Sequence, residues 1–193
     1  TWVSHVVSGS VASVSRDLPH GDGSFHFGGG VNPFTRVGNS AFFTVGGSFT
    51  NPDYEDSKSR SYANLGRGVR GARISNNSWG APVSGAYNAD SQAYDRLVRD
   101  AQPTGSTFPA PGNQELVIVF AAGNSGSGAQ TVGSPATAKN VITAGGSQNV
   151  RPGVSDATNA DAMYTSSSRG PAADGRYKPD LTAPATNVAG GVV

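Results

Sequence analysis

Near the start of the chain the apolar residues Val3, Val7, Val11 and Val14 fall on one helical stripe, with Trp2 and Val6 beside it. The spacing predicts a helix over residues 2–14, although β-branched residues of this kind would also suit a strand. Periodicity then lapses, and residues 15–35 read as loop, with Leu18-Pro19-His20-Gly21-Asp22-Gly23, Gly28-Gly29-Gly30 and Asn32-Pro33 as turn signals. A strand over 36–45 ends at Gly46-Gly47, and a polar helix from Tyr54 to Leu65 stops at Gly66.

The pattern is clearer in the second half. Residues 72–77 read as a strand, and 88–100 as a helix in which Ala93 pairs with Leu97 and Tyr94 with Val98 at four-residue spacing. Asn88 is placed to cap that helix, and Asp90 lies in its first turn, where the helix dipole favours an anion. After a Pro/Gly-rich excursion from Gln102 to Asn113 comes the strongest strand, Leu116–Ala122, continuously apolar as expected of a strand covered on both faces. A shorter strand follows at Asn140–Ala144. Strands 72–77 and 116–122 joined by a helix form the βαβ pattern of a parallel sheet with helices on its faces.

Composition narrows the class. With 27 glycines and 12 prolines in 193 residues, about a fifth of the chain is turn-forming, yet no Gly-X-Y period is present. The chain suits one globular domain spanning 1–193, with many turns and a sizeable core. A net charge of +1 and 14% charged residues point to neither nucleic acid nor an anionic membrane as partner. The cluster of Arg67, Arg70 and Arg73 lacks interleaved aromatics and reads as a solvated face. No apolar run approaches the roughly 20 residues that span a bilayer. The absence of cysteine removes disulfides, thiolate nucleophiles and zinc–sulfur sites together.

In a parallel sheet, ligands bind outside the C-terminal strand ends. Two such ends stand out: Ile74-Ser75-Asn76-Asn77-Ser78-Trp79-Gly80 and Val119-Phe120-Ala121-Ala122-Gly123-Asn124-Ser125-Gly126. Both finish in small residues with accessible backbone. Taken singly, each is first read as a turn in which Gly80 or Gly123 supplies conformational freedom.

Taken in order, the blocks are specific. Gly71-Ala72-Arg73-Ile74-Ser75-Asn76-Asn77-Ser78-Trp79-Gly80 resembles the subtilase strand that lines the substrate cleft. Ala121-Ala122-Gly123-Asn124-Ser125-Gly126 resembles the oxyanion-hole segment of the same family. Residues 133–144 are similar to the block after it, and Ser167-Ser168-Arg169-Gly170-Pro171, Lys178-Pro179-Asp180 and Ala183-Pro184 to the run before the catalytic serine. Thr1-Trp2-Val3-Ser4-His5-Val6-Val7-Ser8-Gly9 matches the helix that the family's catalytic histidine opens, which would put that histidine two positions before Thr1. Ala185 departs from the pattern, since a glycine usually follows Ala-Pro there.

The resemblance implies an α/β, three-layer parallel-sheet subtilisin-like fold, incomplete here, lacking the strand with the catalytic aspartate and the helix with the serine. It implies a secreted serine endopeptidase in which Asn124 donates a hydrogen bond to the oxyanion. Ser78, Trp79, Gly80, Ala121, Ala122 and Gly123 would line the pocket for the residue before the scissile bond, with Gly133 as its floor. The partner would be a polypeptide substrate. No cofactor is assigned. Subtilases often carry calcium, but Asp17, Asp22, Asp53, Glu55 and Asp56 show no ligand spacing and read as solvated acids.

The residue types of a triad are absent in context, so these 193 residues are expected to be inactive alone and to leave apolar surface uncovered. His20-Gly21 lacks the apolar helix that follows a catalytic His-Gly, and Gly66-Arg67-Gly68-Val69-Arg70-Gly71 lies before a strand, the reverse of the dinucleotide-binding context. The rival reading is a non-catalytic pseudoprotease or peptide-binding module using the same cleft.

Overall fold

The computed structural model describes residues 17–19, 25–27, 72–150, 153–155 and 157–188. The helix expected over 2–14, the strand over 36–45, the helix from Tyr54 to Leu65, the Gly66–Gly71 run, and His5, His20, Asp22, Asp53, Glu55 and Asp56 lie outside the described residues. The chain divides into two compact units. One is drawn from Thr1–Asn39, Ser147–Tyr164 and Pro184–Val193, the other from Ser40–Gly146 and Thr165–Ala183.

In the first unit, part of the stretch read as loop is a short antiparallel pair, β1 (Asp17–Pro19) and β2 (Phe25–Phe27), with Leu18 opposite His26. Three-residue strands are too short to show a period, which is why the sequence reads only as turns. Elsewhere in this unit, Gln148 N donates to Ala162 O at 2.7 Å, Asn149 N to Thr186 Oγ1 at 2.9 Å, and Ala185 N to Ser147 O at 2.9 Å.

The second unit carries the sheet. Strand β3 (Ile74–Asn77), helix α1 (Ala89–Arg99) and strand β4 (Val117–Ala121) form the expected βαβ unit, with β5 (Ile142–Ser147) and β6 (Leu181–Pro184) added in the order β3-β4-β5-β6. β3–β4 and β4–β5 are parallel, with Asn77 beside Phe120 and Phe120 beside Thr143. This is an α/β architecture built on a parallel sheet.

The sequence did not suggest β6, which is four residues long and exposed throughout. Its place follows from a buried lysine. Lys178 Nζ donates to Val141 O at 2.9 Å and to Asp180 Oδ2 at 2.7 Å, and Asp180 Oδ2 also accepts Thr143 N at 2.7 Å. A buried ammonium is tolerated only when its donors are used, and here they stitch the entry of β6 to the entry of β5.

Helix α1 begins where expected. Asn88 caps it by accepting Ser91 N at 3.1 Å, and Arg96 and Arg99 occupy the last turn, complementing the dipole. Its buried side is Ser91, Tyr94, Asp95 and Leu97, so the inward stripe includes two polar residues instead of Ala93. Asp95 is accommodated because Tyr87 OH donates to its Oδ2 at 2.8 Å and Asn140 N to its Oδ1 at 2.6 Å.

Tyr94, Leu97, Ile118, Phe120, Val132 and Val141 belong to the core, and Trp79 packs at its edge. Trp79, Tyr94 and Phe120 meet edge to face, with centroids 4.8–6.0 Å apart, an arrangement that aligns ring edges with ring faces. Burial along β4 alternates, contrary to the expectation of cover on both faces: Ile118 and Phe120 are buried beneath α1, whereas Val117 is 46% exposed. In register with it, Ile74 is 64% exposed, and Ile142, in line with Val119, is 37% exposed. Among the described residues no element packs over this row, so the apolar run marks a second face that the described elements leave open. No helix among them is long and apolar enough to cross a membrane.

An apolar row that no described element covers should favour broad unfolding or self-association of residues 1–193 produced alone. Sedimentation velocity beside a calorimetric melt checks this; a monomer with a sharp, cooperative transition would contradict it.

Candidate active site

Beyond β4 the chain turns outward at Ala122-Gly123-Asn124-Ser125-Gly126, and hydrogen bonds from three later segments hold the backbone of that turn. Ala122 N donates to Ala144 O at 2.9 Å, and Ala122 O accepts Gly133 N at 3.0 Å. Gly123 O accepts Ser168 N at 3.0 Å, Ser125 N donates to Ser168 Oγ at 3.0 Å, and Gly126 N donates to Ser166 O at 3.0 Å. Thr131 extends the clamp: its N donates to Arg169 O at 2.8 Å, and its Oγ1 accepts Arg169 N at 2.8 Å.

Asn124 sits at the crest of this turn. It is exposed, and its side chain has no hydrogen-bond partner among the described residues. The turn depends on Gly123, whose φ of +115° disfavours any side chain and whose added Cβ would lie 2.9 Å from Ser168 Oγ. Ser168 is fully buried. It therefore serves as clamp and spacer at once.

The other strip runs Ser78-Trp79-Gly80. Ser78 and Gly80 are exposed and Trp79 is half-buried. Trp79 Nε1 donates to Asn77 Oδ1 at 3.0 Å, and its ring lies against Tyr94 and Phe120. The ring thus anchors the strip in the core and leaves the backbone of 78–80 at the surface. Ala121 is exposed and Ala122 buried. The two strips are extensions of β3 and β4, neighbouring parallel strands, so their proximity follows from sheet register.

Gly133 is buried between the two. Ser134 forms an antiparallel bridge with Ala81, Ser134 N to Ala81 O and Ala81 N to Ser134 O, both at 2.9 Å. A Cβ on Gly133 would lie 2.8 Å from Ala81 O, so the backbones can approach only because residue 133 is glycine. The structure therefore brings Ser78–Gly80, Ala121–Asn124 and Gly133 into one connected region.

Sequence reasoning missed Ser168 and Thr131 as the residues that hold the Asn124 turn. Ser168 is 43 positions from Ser125, and nothing in local spacing announces such a contact. Tyr87, half-buried nearby, has Lys139 Nζ and the Arg176 guanidinium 4.9 and 5.6 Å from its ring centroid. Burial, then the hydrogen bond to Asp95, raises its phenol above the ordinary value. Among the described residues no cluster of three or more His, Cys, Asp or Glu could hold a metal ion.

The model of the Subtilase family matches residues 5–192, and the chain belongs to that family. It is similar to the serine protease AprX of Bacillus subtilis (strain 168), at 36% identity over 103 residues, which is 53% of this chain and 21% of that protein. Its fold is similar to that of sphericase, with a TM-score of 0.58 and 20% identity over 99% of this chain and 53% of that one. The chain spans about half the length of the solved relative and about a fifth of the curated one.

Two outcomes follow from this geometry. Gly123→Ala should cost about 1–3 kcal/mol through its positive φ and the Ser168 contact. Adding Ser168→Ala should then cost less than the sum of the two single losses, as a double-mutant cycle by urea denaturation would read. The second concerns pH. Because the folded chain holds the Tyr87 proton more tightly, the unfolded chain ionises first, and stability should decline as pH rises above 10.0. Tyr87→Phe should flatten that decline in alkaline melts.

Proposed function

We propose that this chain is the part of a secreted serine endopeptidase that binds polypeptide in extended form and supplies one oxyanion donor, the side-chain amide of Asn124. The observation that carries the reading is the contrast within a single turn. The backbone of Ala122, Gly123, Ser125 and Gly126 is bonded internally, while the Asn124 amide stands exposed with no partner among the described residues. A donor held rigidly and unspent is what a developing negative charge requires, since no reorganisation is then needed during reaction.

Membership of the subtilase family and the similarity to a serine protease support the reaction class. In this reading Ser78, Trp79 and Gly80 on one side and Ala121, Ala122 and Gly123 on the other receive the peptide as an added strand. Gly133, between them, lets its segment pack directly against the Ala81 backbone. Attack by the serine hydroxyl on the peptide carbonyl breaks its π bond and leaves negative charge on oxygen; a histidine base takes the hydroxyl proton and later returns it to the leaving amine. Asn124 Nδ2 donates to that oxygen. In this reading residues 1–193 supply the cleft and one oxyanion donor, and are expected not to hydrolyse peptides on their own.

Two measurements test this. In the full-length protein, Asn124→Ala should lower kcat by about 10²–10³ with little change in KM, the usual cost of losing one oxyanion donor. The full-length protein should label with a fluorophosphonate serine probe, and residues 1–193 should not. Stoichiometric labelling of the short chain would contradict the assignment; peptide binding by an unlabelled full-length protein would favour a pseudoprotease.

A further inference from the structure

We propose that half-buried Asn88 and the buried Ser91, Ser134 and Thr137 form a positioning unit that sets the gap between the two peptide-binding strips. Through that gap it would set the size of residue accepted before the scissile bond. The inference rests on the protease reading above and assigns a role to residues that touch no substrate.

Residues 133–134 bond to both sides of the region. Gly133 N donates to Ala122 O, and Ser134 exchanges two backbone bonds with Ala81, next to Gly80. Where this segment sits therefore decides how far apart the strips stand. Its backbone is committed to them, so something else must fix its position.

That fixing comes from its side chains. Ser134 Oγ donates to Asn88 Oδ1 at 2.6 Å, and Thr137 Oγ1 donates to Ala86 O at 2.8 Å. Ser91 Oγ lies 2.8 Å from Thr137 Oγ1 and 3.1 Å from both Ser134 Oγ and Asn88 Oδ1. Three hydroxyls carry three protons, and the three shortest contacts use one each: Ser134 to Asn88, Thr137 to Ala86, Ser91 to Thr137. Ser91, Ser134 and Thr137 are all buried to 2% exposure or less.

Apolar side chains of the same volume would fill this space, but their attraction is non-directional and would tolerate a slide of residues 133–137 along α1. A closed set of hydrogen bonds in a dry site permits one arrangement. Asn88 is also the cap of α1, and α1 is anchored on Phe120 through Tyr94. The first turn of the helix and the region between the strips are thus one mechanical piece.

The test uses the full-length protein and two peptides that differ only in having a small or a large apolar residue before the scissile bond. Ser134→Ala should change the ratio of their kcat/KM values by about fivefold or more, chiefly through KM. Asn88→Asp, which keeps the acceptor, should retain the original ratio. Asn88→Ser keeps a helix cap but is too short to reach Ser134, so it should shift the ratio even if Ser134→Ala fails to fold.

A role confined to stability would lower the melting midpoint and scale both peptides equally. A ratio that stays within about twofold in both Ser134→Ala and Asn88→Ser would overturn the proposal. If the unsubstituted protein cleaves neither peptide, the protease reading falls and takes this inference with it, an outcome distinct from an active enzyme with unmoved selectivity.

Discussion

Ser168 beneath the Gly123–Gly126 turn is the contact on which the candidate site depends. Its amide donates to Gly123 O and its hydroxyl accepts Ser125 N, so a single buried residue fastens the backbone on both sides of Asn124. The left-handed φ of Gly123 brings the turn close enough for those bonds, and a side chain there would collide with the same hydroxyl. Ser166 and the Thr131–Arg169 pair hold the flanks. With the backbone fastened on both sides, Asn124 is left exposed. The hold on the backbone at residue 124 is a product of packing beneath it and not of any property of asparagine.

A second set of constraints operates from the helix side. Polar residues on the inward stripe of α1 would be costly if unpaired, yet each has a partner supplied by a distant segment. Ser91 meets Ser134 and Thr137, while Asp95 meets Tyr87 and Asn140. These bonds replace part of what would otherwise be apolar contact and tie the helix to the chain that follows β4. Aromatic packing of Trp79 and Tyr94 on Phe120 then fixes the ends of β3 and β4 to the same core. The strips therefore share a foundation: sheet register sets their order, edge-to-face rings set their depth, and hydroxyl bonds set the position of the segment between them.

The two faces of the sheet are energetically unequal. The Ile118–Phe120 face is closed by α1, whereas Ile74, Val117 and Ile142 form a row with no described cover. An apolar row of this kind is energetically suited to a covering layer, and no described element supplies one. The same sheet thus holds the site from one face, while its other face is open among the described residues.

From residue order alone came the parallel βαβ core, the cap at Asn88, the strand around Phe120 and the ordered blocks ending in Asn124, because period, capping chemistry and motif spacing are local properties. The blocks carried the family. The inward turn of Ser91 and Asp95, the burial of Lys178, the strand β6 and the clamp by Ser168 were not readable. Each joins residues far apart in sequence or turns a polar group inward against its ordinary preference. A polar side chain reads as solvent-facing until its partner is known, and the partner is a fact of tertiary structure.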